Sequence, residues 1–295
     1  MDARLEALLR EAPPRPRRIV CLTEETTETL HRVGAGDLVV GVSGFTVRPP
    51  EARRKPRVSS FLDARFDDIL ALRPDLVVGF SDLQAPLAAE LVRRGVGVLV
   101  TNQRSVAEIL QTIRVVTAIV GREAEGDRLA RELEANLARA ADAASGLPRR
   151  PRAFFEEWPE PLISGIRWVS ELLELAGADD VCAESRASPL AKGRVFEPAE
   201  VARRDPELVV ASWCGKKASR ERIRGRPGWE AVAAVREDQL YEVKSSIVLQ
   251  PGPAALSDGL AELGQIVAAV ARGERLPTAR AGDLRCAPAA PLERG

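Results

Sequence analysis

The sequence is poor in the residues that most often announce chemistry, and each shortage excludes something. It has one histidine in 295 residues. His31 cannot build a His-rich metal site, and a Ser-His-Asp triad would have to use it without any Gly-x-Ser-x-Gly elbow. It falls in the helix expected over 26–33, next to Leu30, where packing or a surface position accounts for it. The four cysteines, Cys21, Cys182, Cys214 and Cys286, are scattered and form no Cys-x-x-Cys pair. That spacing favours free thiols in a reducing compartment over a disulfide framework or a zinc site. No Gly-x-Gly-x-x-Gly or other phosphate-cradling loop occurs, which argues against a nucleotide cofactor. No catalytic cofactor and no metal site are expected.

Charge of one sign is lacking too. The formal net charge is +0 and the pI is about 6.7, so there is no basic excess to attract nucleic acid or an anionic membrane. No apolar run approaches the roughly 20 residues of a membrane span. In Met1–Arg18, Leu5, Leu8 and Leu9 are interrupted by Arg4, Glu6, Arg10 and Glu11, and Pro13, Pro14 and Pro16 follow. A secretory signal needs about 7–15 uninterrupted apolar residues, so the chain reads as soluble and cytoplasmic. A periplasmic or surface-anchored location would require a start upstream of Met1. Aromatics make up only 4%, so each is worth placing individually.

What the chain does have is a duplication. Residues 67–80 read Asp-Asp-Ile-Leu-Ala-Leu-Arg-Pro-Asp-Leu-Val-Val-Gly-Phe, and residues 199–212 read Ala-Glu-Val-Ala-Arg-Arg-Asp-Pro-Glu-Leu-Val-Val-Ala-Ser. Each is a short amphipathic helix stopped by a proline, then an acidic residue, then an apolar run suited to a buried strand. Pro74 and Pro206 lie close to half the chain apart, which implies two lobes of like construction with a ligand space between them.

The rest of the pattern agrees. Strands are expected at 18–22, 39–42, 58–60, 76–80 and 97–101, alternating with helices that begin at the capping residues Thr23–Thr26 and around Pro86. Such alternation predicts mostly parallel sheets covered on both faces. Residues 105–144 read as helical with a break at Gly121, and Leu129, Leu133 and Leu137 form an apolar stripe. Further strands are expected at 152–157, 207–212 and 240–243, with helices at 168–176, 197–204 and 254–271. The fold class is α/β: two Rossmann-like lobes joined by a long rigid helix. The divisions are an N-terminal extension (1–17), an N-terminal lobe (18–104), a helical connector (105–146), a C-terminal lobe (147–272) and a disordered Ala-, Arg- and Pro-rich tail (273–295).

Several stretches together resemble the substrate-binding proteins of ABC importers for cobalamin and ferric siderophores, over nearly all of residues 17–272. They are Arg18-Ile19-Val20-Cys21-Leu22-Thr23 with Thr27-Glu28, Val40-Gly41-Val42-Ser43 with Pro49-Pro50, Val58-Ser59, and Leu72-Arg73-Pro74-Asp75-Leu76-Val77-Val78. The resemblance implies a cobalamin-like corrinoid or other metal chelate held in the interlobe cleft by a non-catalytic monomer. It places Thr23, Glu24, Phe45, Phe61 and Phe80 at the ligand. The three phenylalanines all follow strand ends, where an open α/β sheet meets its ligand. An ordinary core role is the other reading for each.

The second lobe departs from the importers in a dense segment, Phe154-Phe155-Glu156-Glu157-Trp158 through Arg167-Trp168. Ser212-Trp213-Cys214-Gly215-Lys216-Lys217 and Ser245 to Pro253 follow later strands. These resemble a sub-branch without export signals that is often labelled cobalamin-binding. They add Glu156, Glu157, Trp158, Arg167, Trp213, Cys214, Lys216, Ser246 and Gln250 to the expected ligand contacts. Adjacent Glu156 and Glu157 point opposite ways on a strand, so one is expected towards the cleft and the other towards solvent. Trp168 reads as a helix core position. Cys214 reads as an inert thiol, with a nucleophile or an axial metal ligand as the alternatives.

Importer members dock on permease arginines through one acid per lobe, seven residues before the strand-leading proline. Here those positions hold Asp67 and Ala199, with Glu200 beside the latter. The partners implied are therefore a small-molecule ligand and an ABC permease for which the second docking acid is displaced. The alternative function is an intracellular enzyme or sensor on the same scaffold, using Cys214, Lys216 and Glu156 or Glu157.

Overall fold

The computed structural model describes residue 4, residues 14–278, residue 280 and residues 282–287. The chain divides into two compact units, one of residues 1–103 and 110–130, the other of residues 104–109 and 131–295.

The first unit is a five-stranded, wholly parallel sheet. Its strands are β1 (Ile19–Cys21), β2 (Val39–Ser43), β3 (Arg57–Ser59), β4 (Leu76–Phe80) and β5 (Val98–Thr101), in the order β3-β2-β1-β4-β5. Helices α1 (Glu24–Arg32), α2 (Phe66–Ala71) and α3 (Ala85–Arg93) connect them. Val20, Leu22, Val58 and Val77 pack against Ile69, Leu87 and Leu91 of α2 and α3 on one face. Ile19, Val78 and Leu99 meet Leu30, Val116 and Ile119 on the other. Burial on both faces is why these strands read as unbroken apolar runs. Chain order runs outward from β1 and restarts at β4 beside it, so the β1/β4 boundary is the switch point at which such sheets present their ligand loops.

The second unit is a mixed sheet in the order β10-β9-β6-β7, made of β6 (Arg152–Pro159), β7 (Leu162–Ser164), β9 (Leu208–Ala211) and β10 (Leu240–Glu242). β8 (Asp179–Asp180) pairs with the first residues of β6. β7 runs antiparallel to β6, while β9 and β10 are parallel to their neighbours. No strand is expected from the sequence over Leu162–Ser164. It forms a strand because Leu162 O and Ser164 N also find partners in Phe196 N and Arg194 O on its far side. The core on one face gathers Phe154, Trp213, Ile223, Trp229 and Val235, with Phe154 and Trp229 edge-on at 6.2 Å.

The long helical connector, expected to break at Gly121, is two helices, α4 (Val106–Ile119) and α5 (Glu123–Ser145). Gly121, at φ +72°, ends the first, and Gly121 N and Arg122 N close its last turn on Ala118 O and Thr117 O. The unit boundaries fall inside both helices, so neither is a separate body. The expected disorder after residue 273 is also corrected. Leu284 is buried in the core of the second unit, and Arg285 pairs with Tyr241 as a β-bridge. The Arg285 guanidinium donates to Asp238 O and to its carboxylate, at 2.9 and 2.6 Å. Low hydrophobicity hid this segment because a guanidinium pair and one leucine hold it. Residues 288–295, and most of the extension expected over 1–17, lie outside the described residues. Among the described residues no helix is long and apolar enough to cross a membrane.

The duplicated sequence unit builds the same device in both units. Arg73 and Asp205, each just before the proline, stand at φ +46° and +45°. The acid after the proline then reaches to the first amide of the neighbouring central strand. Asp75 accepts from Arg17 N and Arg18 N at 2.7 and 2.9 Å, and its own N–H donates to Arg18 O at 3.0 Å. Glu207 accepts from Arg152 N at 2.9 Å and donates to Arg152 O at 2.8 Å. The strand's first arginine completes the loop: Arg18 donates to Leu72 O and Arg73 O, and Arg152 to Asp205 O. The device locks β1 onto β4 and β6 onto β9 in one register.

Hydrogen bonds to a charged acceptor contribute more than neutral ones, and partial exposure here reduces that. Asp75→Ala and Glu207→Ala are therefore each expected to lower stability by about 1–2 kcal/mol in urea titrations. Losses within the ~0.5 kcal/mol of ordinary surface substitutions would show that the register is set elsewhere.

Candidate functional site

In the first unit the sequence-predicted residues follow the carboxyl ends of four adjacent strands. Phe45, two residues past β2, is half-exposed; its N–H donates to Ser43 Oγ. Phe61 follows β3 and Phe80 ends β4, and their rings meet at 6.5 Å, tilted by 45°. Sequence reasoning missed the residue that holds them. Gln84 is fully buried; its Oε1 accepts from Phe80 N at 2.9 Å and its Nε2 donates to Phe61 O at 2.8 Å. A Cβ at Gly79 would lie 2.7 Å from that same Oε1, so this strand end requires glycine for close approach. Ser81, at φ +78°, turns the chain back and caps the next turn through Leu83 N. Val47, Leu62 and Leu83 are exposed on these loops too, so the strand ends carry an apolar surface.

Thr23 and Glu24 follow β1. Thr23 is buried, and its hydroxyl donates to Glu25 Oε1 at 2.6 Å, so it is satisfied within the unit and presents no free hydroxyl. Burial pushes the Glu24 carboxyl up to about 7 and the Glu25 carboxyl up to about 8. For Glu25 the Thr23 hydroxyl and its own amide oppose that rise, and Glu24 adds to it. Glu25 Oε2 is buried without a hydrogen-bond partner, which fits a protonated acid. Cys21, beneath this turn, is pushed by burial up to about 12 and is an inert thiol.

In the second unit the strand-end residues are arranged differently from the expectation. Glu156 is wholly buried and does not face a ligand. It takes both guanidinium nitrogens of Arg226 at 2.7 Å and Trp213 Nε1 at 3.0 Å. Arg226 itself lies over the Trp229 ring at 4.6 Å. Glu157 points the other way but not to solvent. It takes Arg194 Nη1 and Nη2 at 2.7 and 3.0 Å and Ile166 N at 3.1 Å. Trp213 is 5% exposed and belongs to the interior of its unit. Alternation along β6 explains the pair: Glu156 shares the face of Phe154, and so meets the Trp229 layer.

Trp158 is half-buried, with Lys216 Nζ 4.9 Å from its ring centre and its Nε1 donating to Glu160 O. Cys214 is exposed just past β9. Arg167 is exposed and pairs with Glu171 at 2.7 Å along its own helix, α6 (Arg167–Leu175). Ser246 lies in the short helix α7 (Ser245–Val248) and Gln250 just beyond it, both half-buried. Trp168 is a core residue, with Nε1 donating to Val248 O at 3.0 Å. The structure thus brings Phe45 and the half-buried Phe61 to one sheet end, and turns Thr23, Phe80, Glu156, Glu157 and Trp213 inward, Phe80 being only 6% exposed as its core reading expected. Among the described residues no group of three or more His, Cys, Asp or Glu could hold a metal ion.

The expected docking acids are engaged within the chain. Asp67 meets Arg94 Nη1 at 3.0 Å, and Arg94 lies over Phe66 at 4.9 Å. Glu200 meets Arg204 Nη2 at 2.6 Å, and Arg204 lies over Phe196 at 5.0 Å.

Comparison with known proteins gives a consistent picture. A family model described as periplasmic binding protein matches residues 19–247. The chain is 26% identical over 262 residues to the uncharacterised ABC transporter substrate-binding lipoprotein YvrC of Bacillus subtilis, covering 85% of this chain and 80% of that protein. It is 24% identical over 243 residues to the vitamin B12-binding protein of Vibrio parahaemolyticus, covering 81% and 86%. The solved structure of the apo periplasmic heme-binding protein RhuT from Roseiflexus sp. RS-1 is similar at a TM-score of 0.73 and 25% identity, over 85% of this chain and 99% of that one.

Two outcomes follow from the buried charges. Arg226→Ala strands the Glu156 carboxylate and should cost about 3–5 kcal/mol, whereas Glu156→Gln with Arg226→Met should restore most of the loss. Equal losses in the single and double variants, measured by urea unfolding, would contradict a paired-charge origin. The second concerns pH. The folded Glu25 carboxyl sits above its unfolded value of about 4.5, so the native state holds more protons between about pH 4.5 and 8. Its contribution is fullest at the acid end of that window and falls as pH rises through it. Glu25→Gln should flatten the slope of Tm against pH and leave the variant about 1–3 kcal/mol more stable than the parent at pH 8. An unchanged slope would assign the proton to another group.

Proposed function

Because the chain belongs to the periplasmic binding protein family, we propose that it is a solute-binding protein of ABC-transporter type for a large metal complex of the vitamin B12 or haem kind. The observation that carries this reading is the aromatic wall of the first unit. The half-buried Phe61 rests on the buried Phe80, both backbones are fixed by the Gln84 amide, and Phe45, Val47, Leu62 and Leu83 are exposed around them. A macrocycle suits such a wall, because contact area and offset stacking both contribute, and an exposed apolar patch at strand ends marks a binding surface. The relatives support the class of ligand: one is a vitamin B12-binding protein and a similar structure is a heme-binding protein.

Of the groups the enzymatic alternative would use, Cys214 stays exposed while the others are engaged. Glu156 and Glu157 are each saturated by a buried arginine, and Lys216 lies against Trp158. Delivery to a permease is the second part of the proposal, and it requires Asp67 and Glu200 to exchange their own arginines for those of a partner.

The test is direct. Purified protein mixed with cyanocobalamin, or with hemin, and passed over a gel-filtration column should carry the visible chromophore of at least one. Phe45→Ala and Phe61→Ala should each weaken binding about tenfold, near 1.4 kcal/mol, with the fold intact by circular dichroism. Absence of any co-eluting chromophore would overturn the reading.

A further inference from the structure

In the second unit a group of arginines gathers at the amino end of β10, opposite the loops that follow its carboxyl end. β10 begins after a tight turn at Asp238, which stands at φ +55°, and Arg285 of the closing segment bridges to Tyr241 beside it. Three guanidiniums meet the single Asp238 carboxylate. Arg285 Nη2 reaches Oδ2 at 2.6 Å. Arg220 Nη2 donates to Oδ1, and Arg224 Nη1 lies 3.7 Å from that same oxygen. The side chains of Asp238, Arg285 and Arg220 are 20%, 18% and 25% exposed and so largely withdrawn from water, whereas Arg224, at 43%, opens the group to solvent.

The three arginines are unequally satisfied. Arg285 uses every nitrogen, with Nε donating to Asp238 O at 2.9 Å and Nη1 to Leu276 O at 2.5 Å. It holds the closing segment on β10, and that task needs neither of the others. Arg220 and Arg224 stand four residues apart on the short helix Arg220–Arg224 and so share one face. Among the described residues Arg220 makes no hydrogen bond beyond the one to Asp238, and its Nε is buried with no acceptor. Arg224 donates only to Val235 O, at 3.0 Å. A buried donor without a partner is costly and calls for an acceptor from outside the chain. Nearby charges cancel among themselves: Glu237 with Arg275 at 3.4 Å, Asp283 with Lys217 at 2.5 Å, and Glu160 with Arg222. Glu221, one residue from Arg220, is exposed and does not share that face. One carboxylate therefore meets three permanent cations, and like charges held this close repel until an anion joins them.

We propose that Arg220 and Arg224, backed by Arg285, form a binding site for a phosphate-type oxyanion. The site is separate from the aromatic surface of the first unit and does not depend on the function proposed above. A guanidinium fork matches two oxygens of a phosphate, and two forks on one helix face can share its remaining oxygens. Free phosphate and the phosphate group of an ester present the same chemistry. No phosphate-cradling loop is involved, so a search for such motifs in the sequence passes over these residues.

Equilibrium dialysis of the full chain against labelled inorganic phosphate or AMP, at an ionic strength fixed with sodium chloride, tests the site. One of the two probes should bind once per chain. Arg224→Gln should weaken it about tenfold, as loss of a charge-assisted hydrogen bond requires. Arg222→Gln, on the same helix but paired with Glu160, should stay within about twofold. Phosphate or AMP should also raise the urea midpoint of the parent and of Arg222→Gln, and not that of Arg224→Gln. Tighter binding of AMP would name a phosphate ester as the occupant, and equal or weaker binding the free anion. Binding of neither probe by the parent, or binding that Arg224→Gln leaves unchanged, would overturn the proposal without touching the binding function of the aromatic surface.

Discussion

A carboxylate one residue past a proline, holding the first amides of the neighbouring central strand, is the constraint on which both units depend. Asp75 does this for β1 and Glu207 for β6, and in each case the strand's leading arginine donates back to the carbonyl before the proline. A parallel pair has no hairpin to fix its register, so the register must come from the ends of the strands. A slip of one residue would turn Phe80 or Glu156 to the opposite face of its sheet. The positive φ of Arg73 and Asp205 costs about 1–2 kcal/mol each by steric crowding. That cost is offset by the three or more hydrogen bonds the turn makes possible.

From this follows where side chains emerge. β1 to β4 end together, so the residues just past them share one edge of the sheet. Gln84, buried between β4 and the loop after β3, converts that edge into a fixed surface by bonding to the backbone of both Phe61 and Phe80. In the second unit the same logic places Glu156 on the inner face with Phe154, and the interior must then supply a counter-charge. Arg226 does so with two bonds, while its guanidinium also covers Trp229. Truncating one partner of such a pair is far costlier than replacing both, since the cost lies in the stranded charge.

The α/β class, most strand positions and the family were legible because apolar runs, prolines and the duplicated unit are local signals. The positions of Phe45 and Phe61 just past strand ends were legible because that place is a local property too, whereas the burial of Phe80 at the end of β4 was not. The inward turn of Glu156 and Trp213 was not. A cluster of acids and tryptophans after a strand looks like a binding surface, and a buried ion pair roofed by indoles needs the same residue types. Its partners, Arg226 and Arg194, are tens of residues away in sequence. Gln84 was hidden for the same reason: nothing near it in the chain shows that its amide spans two loops. The ordered segment at 282–287 was missed because its anchor, Asp238 with Arg285, is a long-range pair inside a composition typical of disorder.

Charge bookkeeping ties the site to the composition. The chain is 29% charged with a net charge of +0, and at the strand ends that balance is struck locally. Glu25 is held as a neutral acid by burial, Glu28 pairs with Arg48, Glu156 with Arg226, Glu157 with Arg194, and Lys217 with Asp283. Within each unit, charges matched in this way leave little net field, so long-range steering is weak and affinity for a ligand must come from contact. Rigid aromatic walls are suited to that, because they lose little side-chain entropy on binding.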